Sequence, residues 1–235
     1  MSIAENVAVI KAQIRAAALA AGRNPDEIQL CAATKMNDAD AVRQAIAAGV
    51  DCCGENRVQE LTTKYAQGAY DGAPVHFIGH LQTNKVKQVV GKVDLIQSVD
   101  SLRLAQAIDK EAARQGIIQD ILLEINVGNE ESKSGFDAES LHEILPEFSS
   151  FCNLRVCGLM AIPPICQNSA DSRKFFQKIY ALSVDITAKK YDNISVRLLS
   201  MGMSGDFEHA IACGSNMIRV GTAIFGARNY NSSHQ

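Results

Sequence analysis

The stretch Ile28-Gln29-Leu30-Cys31-Ala32-Ala33-Thr34-Lys35-Met36-Asn37-Asp38-Ala39-Asp40-Ala41-Val42-Arg43-Gln44-Ala45-Ile46-Ala47-Ala48-Gly49 holds one complete strand–turn–helix unit. Residues 28–34 are apolar without helical spacing and read as a strand. Asn37 is the expected N-cap, with Asp38 and Asp40 in the first turn, where the helix dipole favours negative charge. Ala39, Val42 and Ile46 then recur at spacings of three and four, and Gly49 supplies the left-handed residue that stops the helix.

The same unit repeats outward from this segment. Strand-like runs lie at residues 28–34, 51–55, 75–80, 94–99, 121–127, 155–162, 195–201 and 217–225. Helical spacing appears at Val7, Ile10 and Ile14, closing at Gly22, and again at Leu102, Ala105 and Ile108 after Asp100 and Ser101. It returns at Leu141, Ile144 and Leu145 after Asp137, at Phe175, Phe176, Ile179 and Leu182, and at Phe207, Ala210 and Ile211 between Ser204 and Gly214. Eight strands alternating with helices, in a chain that opens on a helix, predict a single α/β domain. The expected form is a closed (β/α)8 TIM barrel with an N-terminal helix before it. An open doubly wound sheet is the alternative. No linker or composition shift divides the chain, so residues 1–228 read as the barrel and 229–235 as a tail.

Of the 235 residues, 47% are apolar and 21% charged, enough apolar material for a large core. Lys and Arg number 23 against 26 Asp and Glu, a formal charge of −3. That balance offers no bulk attraction to nucleic acid or to an anionic membrane. No apolar run approaches the ~20 residues that span a bilayer, and the first residues lack the order of a signal peptide. Seven cysteines, an odd number with no CxxC pair, read as reduced core residues of a cytoplasmic protein. His76 and His80 flank Ile78, but no Cys/His group has zinc spacing, so these histidines read as structural or hydrogen-bonding and no metal is expected. GxSxG, GxxxxGK[ST] and GxGxxG are all missing.

A barrel of this kind carries its chemistry at the C-terminal ends of its strands. Lys35 stands there and shares a face with Ala33 and Cys31, whose small side chains leave room for a long one. A desolvated lysine attacks an aldehyde as the neutral amine; the alternative is a solvated lysine at a strand end. Ser200-Met201-Gly202-Met203-Ser204-Gly205-Asp206 follows the seventh strand, and Arg219-Val220-Gly221-Thr222 lies in the eighth. Loops after these two strands, with a helix N-terminus, commonly bind phosphate; alternatively Ser204 only caps its helix. Alternation turns Arg219 and Gly221 toward the interior, where a guanidinium needs a partner. That partner is either a ligand atom or Glu124 of the fifth strand.

Several motifs, in order, resemble one family: Ala33-Thr34-Lys35, Gly54-Glu55-Asn56-Arg57-Val58-Gln59-Glu60, His76-Phe77-Ile78-Gly79-His80-Leu81-Gln82-Thr83-Asn84-Lys85, Ser98-Val99-Asp100-Ser101, Glu131-Ser132-Lys133-Ser134-Gly135, Gly158-Leu159-Met160, Leu199-Ser200-Met201-Gly202-Met203-Ser204 and Arg219-Val220-Gly221-Thr222-Ala223-Ile224-Phe225-Gly226. From about residue 4 to residue 228 the chain is similar to the pyridoxal phosphate homeostasis proteins, single-domain relatives of the alanine racemase barrel. The resemblance implies a fold-type III site for pyridoxal 5′-phosphate (PLP). Lys35 matches the lysine that holds the cofactor as an internal aldimine. Ser200, Gly221 and Thr222 match the phosphate cradle, helped by backbone from Met201 to Ser204. Arg219 matches the arginine facing the pyridine nitrogen, and Asn56 matches a residue lining the pocket.

The implied role is to hold or deliver PLP, with PLP-dependent enzymes as recipients and no dedicated reaction. A monomer is expected, with neither nucleic acid nor membrane as partner. The alternative is a weak amino-acid racemase, which needs a second acid/base group on the opposite face of the cofactor. None of Tyr65, Tyr70, Tyr180, Tyr191 and Tyr230 falls at a predicted strand end. Two departures stand at the pocket rim: Met36-Asn37-Asp38 where family members often carry Thr-Lys-Pro, and Arg57 in place of a frequent Tyr.

Overall fold

In the computed structural model, which describes residues 1–128, 130, 134–164, 166 and 168–226, β1 (Gln29–Ala33) pairs in parallel with β2 (Cys52–Glu55) on one side and with β8 (Met217–Val220) on the other. Between them run β3 (Val75–Phe77), β4 (Leu95–Val99), β5 (Gln119–Ile125), β6 (Leu154–Ala161) and β7 (Ile194–Ser200), each bonded to its neighbours in sequence order. The sheet therefore closes on itself, and the open doubly wound alternative is excluded. The helices are α1 (Ile3–Ala20), α2 (Ala39–Ala47), α3 (Val58–Ala66), α4 (Leu102–Gln115), α5 (Leu141–Ile144), α6 (Arg173–Lys189), α7 (Phe207–Ala212) and α8 (Thr222–Phe225). A 3₁₀ segment, Thr83–Gln88, replaces an α-helix between β3 and β4.

Strand alternation creates two cores. Leu30 and Ala32 point outward and join the large layer between sheet and helices. Cys31 points inward and packs with Cys52, Leu95, Leu122, Cys157, Met160 and Met217. Phe77, Phe148 and Phe176 are fully buried in the outer layer, each contributing on the order of 1.5–3 kcal/mol by leaving water. At the N-terminal rim, carboxylates satisfy strand amides that the ladder leaves over: Leu30 N donates to Asp51 Oδ2 and Val75 N to Asp94 Oδ2, each at 2.7 Å.

Helix α1 begins with a capping box between Ser2 and Glu5. It packs against α2, α7 and α8. Asn6 Nδ2 donates to Ile224 O at 2.8 Å, and Arg23 Nη1, just past the helix, donates to the carbonyls of Ile211 (2.8 Å) and Ser215 (2.5 Å).

Local expectations need four corrections. Asp38, not Asn37, caps α2, its Oδ1 accepting from Ala41 N at 2.8 Å. Asp206, not Ser204, stands at the N-cap of α7. The eighth strand stops at Val220 instead of running to 225, because Gly221 turns the chain and its carbonyl accepts from Ile224 and Phe225 to start α8. Helix α3, unmarked in the sequence reading, covers the second barrel face. The expected boundary at 228 and the tail 229–235 lie outside the described residues, as do Glu131, Ser132 and Lys133 of the fifth motif.

Candidate functional site

A cavity of about 540 Å³ opens at the C-terminal mouth of the barrel, and Lys35, Asn56, Ser204, Arg219, Gly221 and Thr222 all line it. Six of the eight residues expected at the site thus meet in one place. Among the described residues its walls carry Lys35 and Arg219 and no carboxylate, so the cavity favours an anion.

Lys35 follows β1 by two residues and is half-buried. The turn beyond it is fixed by Met36, which adopts φ +62°, and by Met36 N donating to Glu60 Oε2 at 2.6 Å. Beneath it is a buried platform that sequence reading missed. Thr34 Oγ1 donates to Glu55 Oε1 at 2.6 Å, and Lys64 Nζ donates to the same oxygen at 2.5 Å and to Thr34 O at 2.8 Å. The peptide carrying Lys35 is therefore tied to β2 and α3 by charge-assisted bonds. Burial, followed by the Glu55 charge, pushes the neighbouring Tyr70 hydroxyl far up from its ordinary pKa. The only available signal was the Gly54-Glu55-Asn56 motif; the Lys64 contact comes from the turn of α3.

Arg219 is 5% exposed. Its Nη1 donates to Ser200 Oγ (2.5 Å) and Ser200 O (2.7 Å), and its Nη2 to Ala161 O (3.0 Å). Among the described residues it forms no ion pair, so the bland alternative of a bridge to Glu124 is not realised. The Glu124 carboxyl is instead pushed up by burial and then by Asp100, with Arg219 and His80 offsetting from a distance.

Ser200 and Met201 do not line the cavity. The Ser200 hydroxyl is fully buried and donates to Gln97 Oε1 at 2.6 Å, and Met201 packs into the outer core. The wall opposite Lys35 is formed instead by Ser204, Gly205, Gly221 and Thr222, whose amides have no acceptor among the described residues. A Cβ on Gly221 would stand 3.3 Å from both Cβ and O of Ala33, so the absent side chain keeps the ends of β8 and β1 close. Asn56 Oδ1 is buried at the wall with no hydrogen-bond partner among the described residues. Its backbone presses on Gly79, where a Cβ would fall 2.1 Å from Asn56 O.

An amine on one wall, amides and hydroxyls with no partner among the described residues on the other and a guanidinium in the floor define a barrel whose mouth suits an anionic ligand. The comparisons give that class a family. The family profile described as "Alanine racemase, N-terminal domain" matches residues 3–229. The chain is 41% identical over 230 residues to the pyridoxal phosphate homeostasis protein of Aquifex aeolicus, covering 98% of this chain and 100% of that one. A solved protein of Bifidobacterium adolescentis superposes with a TM-score of 0.90 at 38% identity, covering 95% and 94% of the two chains. PipY of Synechococcus elongatus, solved with PLP bound, gives 0.83 at 33% identity, covering 96% and 100%. This chain belongs to the pyridoxal phosphate homeostasis protein family, on the alanine racemase N-terminal domain barrel.

Proposed function

We propose that this protein holds PLP in the mouth of its barrel and serves PLP homeostasis in the cytoplasm, as a monomer, with PLP-dependent enzymes as recipients. The observation that carries the reading is the meeting of Lys35 and Arg219 in one cavity that also presents amides with no acceptor among the described residues. The residues fit the group: Asn56 Oδ1 is a buried acceptor awaiting a donor, and Gly221 leaves the backbone approachable. Bound PLP supplies an aldehyde, a pyridine ring and a phosphate dianion.

Lys35 takes the aldehyde end as a neutral amine. The amides of Ser204, Gly205, Gly221 and Thr222, with the Ser204 and Thr222 hydroxyls, take the phosphate. Arg219 is assigned to the ring nitrogen. Burial lowers its pKa while Cys31, Glu124 and Asp206 act to raise it, and a guanidinium in a protein stays protonated. A fixed cation beside that nitrogen disfavours adding a proton there, which weakens the ring as an electron sink. Holding is thereby favoured over chemistry at a substrate carbon. Among the described residues no tyrosine lines the cavity, which supports the same preference over racemisation.

Borohydride treatment of the purified protein followed by peptide mapping is expected to fix PLP mass on Lys35, and Lys35→Ala to remove it. The same reducible adduct on Lys35→Ala would overturn the assignment. Sedimentation tests the monomer.

A further inference from the structure

At the other end of the barrel interior, successive strands β1, β2 and β3 bring Cys31, Cys52 and His76 together. Cys31 and Cys52 are direct register partners, and the two Sγ atoms and a ring nitrogen of His76 all lie within 4.8 Å of one another. All three are buried. The residues come from three different strands, so no spacing in the sequence marks the group.

We propose that Cys31, Cys52 and His76 form a site for one thiophilic d¹⁰ cation, Zn²⁺ in the first instance. Two thiolates and an imidazole are the donor types that such ions select over Mg²⁺ or Ca²⁺. Two thiolates also cancel the charge of Zn²⁺, which a buried site needs. Three protein ligands leave a fourth coordination position, and a second cavity, of about 400 Å³ and bordered by Cys52 and His76, leads from there to the N-terminal rim. Among the described residues Asp51, Asp94 and Asp120 line that passage beside Arg197, and with Arg155 paired to Asp120 an excess of carboxylate remains to attract a cation.

The surroundings also orient the ligands. Gln97 Nε2 donates to His76 Nδ1 at 2.9 Å while Ser200 Oγ donates to Gln97 Oε1, so in the empty site the ring proton sits on Nε2. Loading a metal on Nε2 moves that proton to Nδ1 and turns the Gln97 amide over, so that its oxygen accepts it.

The test uses the full-length protein, reduced with a phosphine, equilibrated with one equivalent of Zn²⁺, desalted and analysed by elemental mass spectrometry. About one zinc per chain is expected to remain on the wild type and none on Cys31→Ala/Cys52→Ala. Gln97→Met, which removes an orienting contact, is expected to weaken zinc about tenfold in competition with a chromophoric chelator. Should the double variant fold poorly, zinc on the wild type is expected to shield Cys31 and Cys52, but not Cys152, from slow alkylation. Retention of Cu⁺ alone, lost in the double variant, supports the site with a monovalent ion. Equal zinc on wild type and double variant, no metal on the wild type, or a Cys31–Cys52 disulfide in its place would overturn the proposal.

Discussion

Arg219 Nη1 donates to the Ser200 hydroxyl at 2.5 Å, and that hydroxyl spends its own hydrogen on Gln97 2.6 Å away. A serine expected on the ligand is bonded instead to the arginine that lines the cavity. Ser200→Ala should leave a buried N–H of Arg219 without its strongest side-chain acceptor, at a cost of about 1–3 kcal/mol. A thermal melt is expected to shift down, and dialysis to strip PLP faster, while the adduct on Lys35 still forms. Unchanged melting and unchanged PLP retention would dismiss Ser200 as the support of Arg219.

The platform under Lys35 makes a sharper demand. The side chains of Glu55 and Lys64 are 0% and 7% exposed. Lys64→Met strands the Glu55 charge in the core and should lose roughly 3–5 kcal/mol in urea unfolding. Adding Glu55→Gln should recover most of that loss. A double variant no better than the single would mean that Lys64 acts by packing alone.

Gly79 sits where two backbones touch. Gly79→Ala sets its new Cβ 2.1 Å from a carbonyl oxygen, which no rotamer change can relieve. The expected outcome is a displaced Asn56, a drop in stability of at least ~1–3 kcal/mol, and loss of yellow PLP-bound protein. Gly22→Ala is the control: nothing lies within 4 Å of its Cβ, so only its φ of +68° opposes the change.

Two glutamates set opposite pH trends. The Glu111 carboxylate is held down to about 2, from 4.5, by hydrogen bonds from Arg114 and then Gln115. A depressed acid contributes stability that is complete above 4.5 and lost as pH falls through about 2. Glu111→Gln should flatten the acid limb of a stability–pH curve over that window. Glu124 is raised by burial, so the native state binds its proton more tightly and stability declines as pH climbs through the carboxylate range. Glu124→Gln should remove that decline. Parallel curves for wild type and either variant would contradict the corresponding assignment.

Most of the barrel was legible because each strand carries its own signal, an apolar run whose ends the structure moves by a few residues at most for the first seven. The eighth overran because Thr222-Ala223-Ile224-Phe225 is β-branched and aromatic, and only the turn at Gly221 makes it helical. Helix α3 went unmarked because its third inward position is Lys64, a charge where an apolar residue was looked for. At the site, alternation alone aimed Arg219 and Lys35 correctly. Ser200 and Met201 sit where β7 ends, and there the direction of a side chain depends on what Arg219 and Gln97 demand. The Thr34–Glu55–Lys64 platform and the Cys31–Cys52–His76 group each join residues from different elements, which no local pattern encodes.

The pairing of β1 with β8, and the hydrogen bonds from the N-terminal region to the carbonyls of Ile211, Ser215 and Ile224, bear on how the molecule is made. A nascent chain emerging from the ribosome offers β1 only one of its two partners until the final strand is free. Throughout translation the growing sheet keeps two raw edges and an uncovered inner face, the state most open to mispairing. Its first helix must wait for its last contacts, so the ring of strands shuts only once the eighth has been made, however early the first was ready.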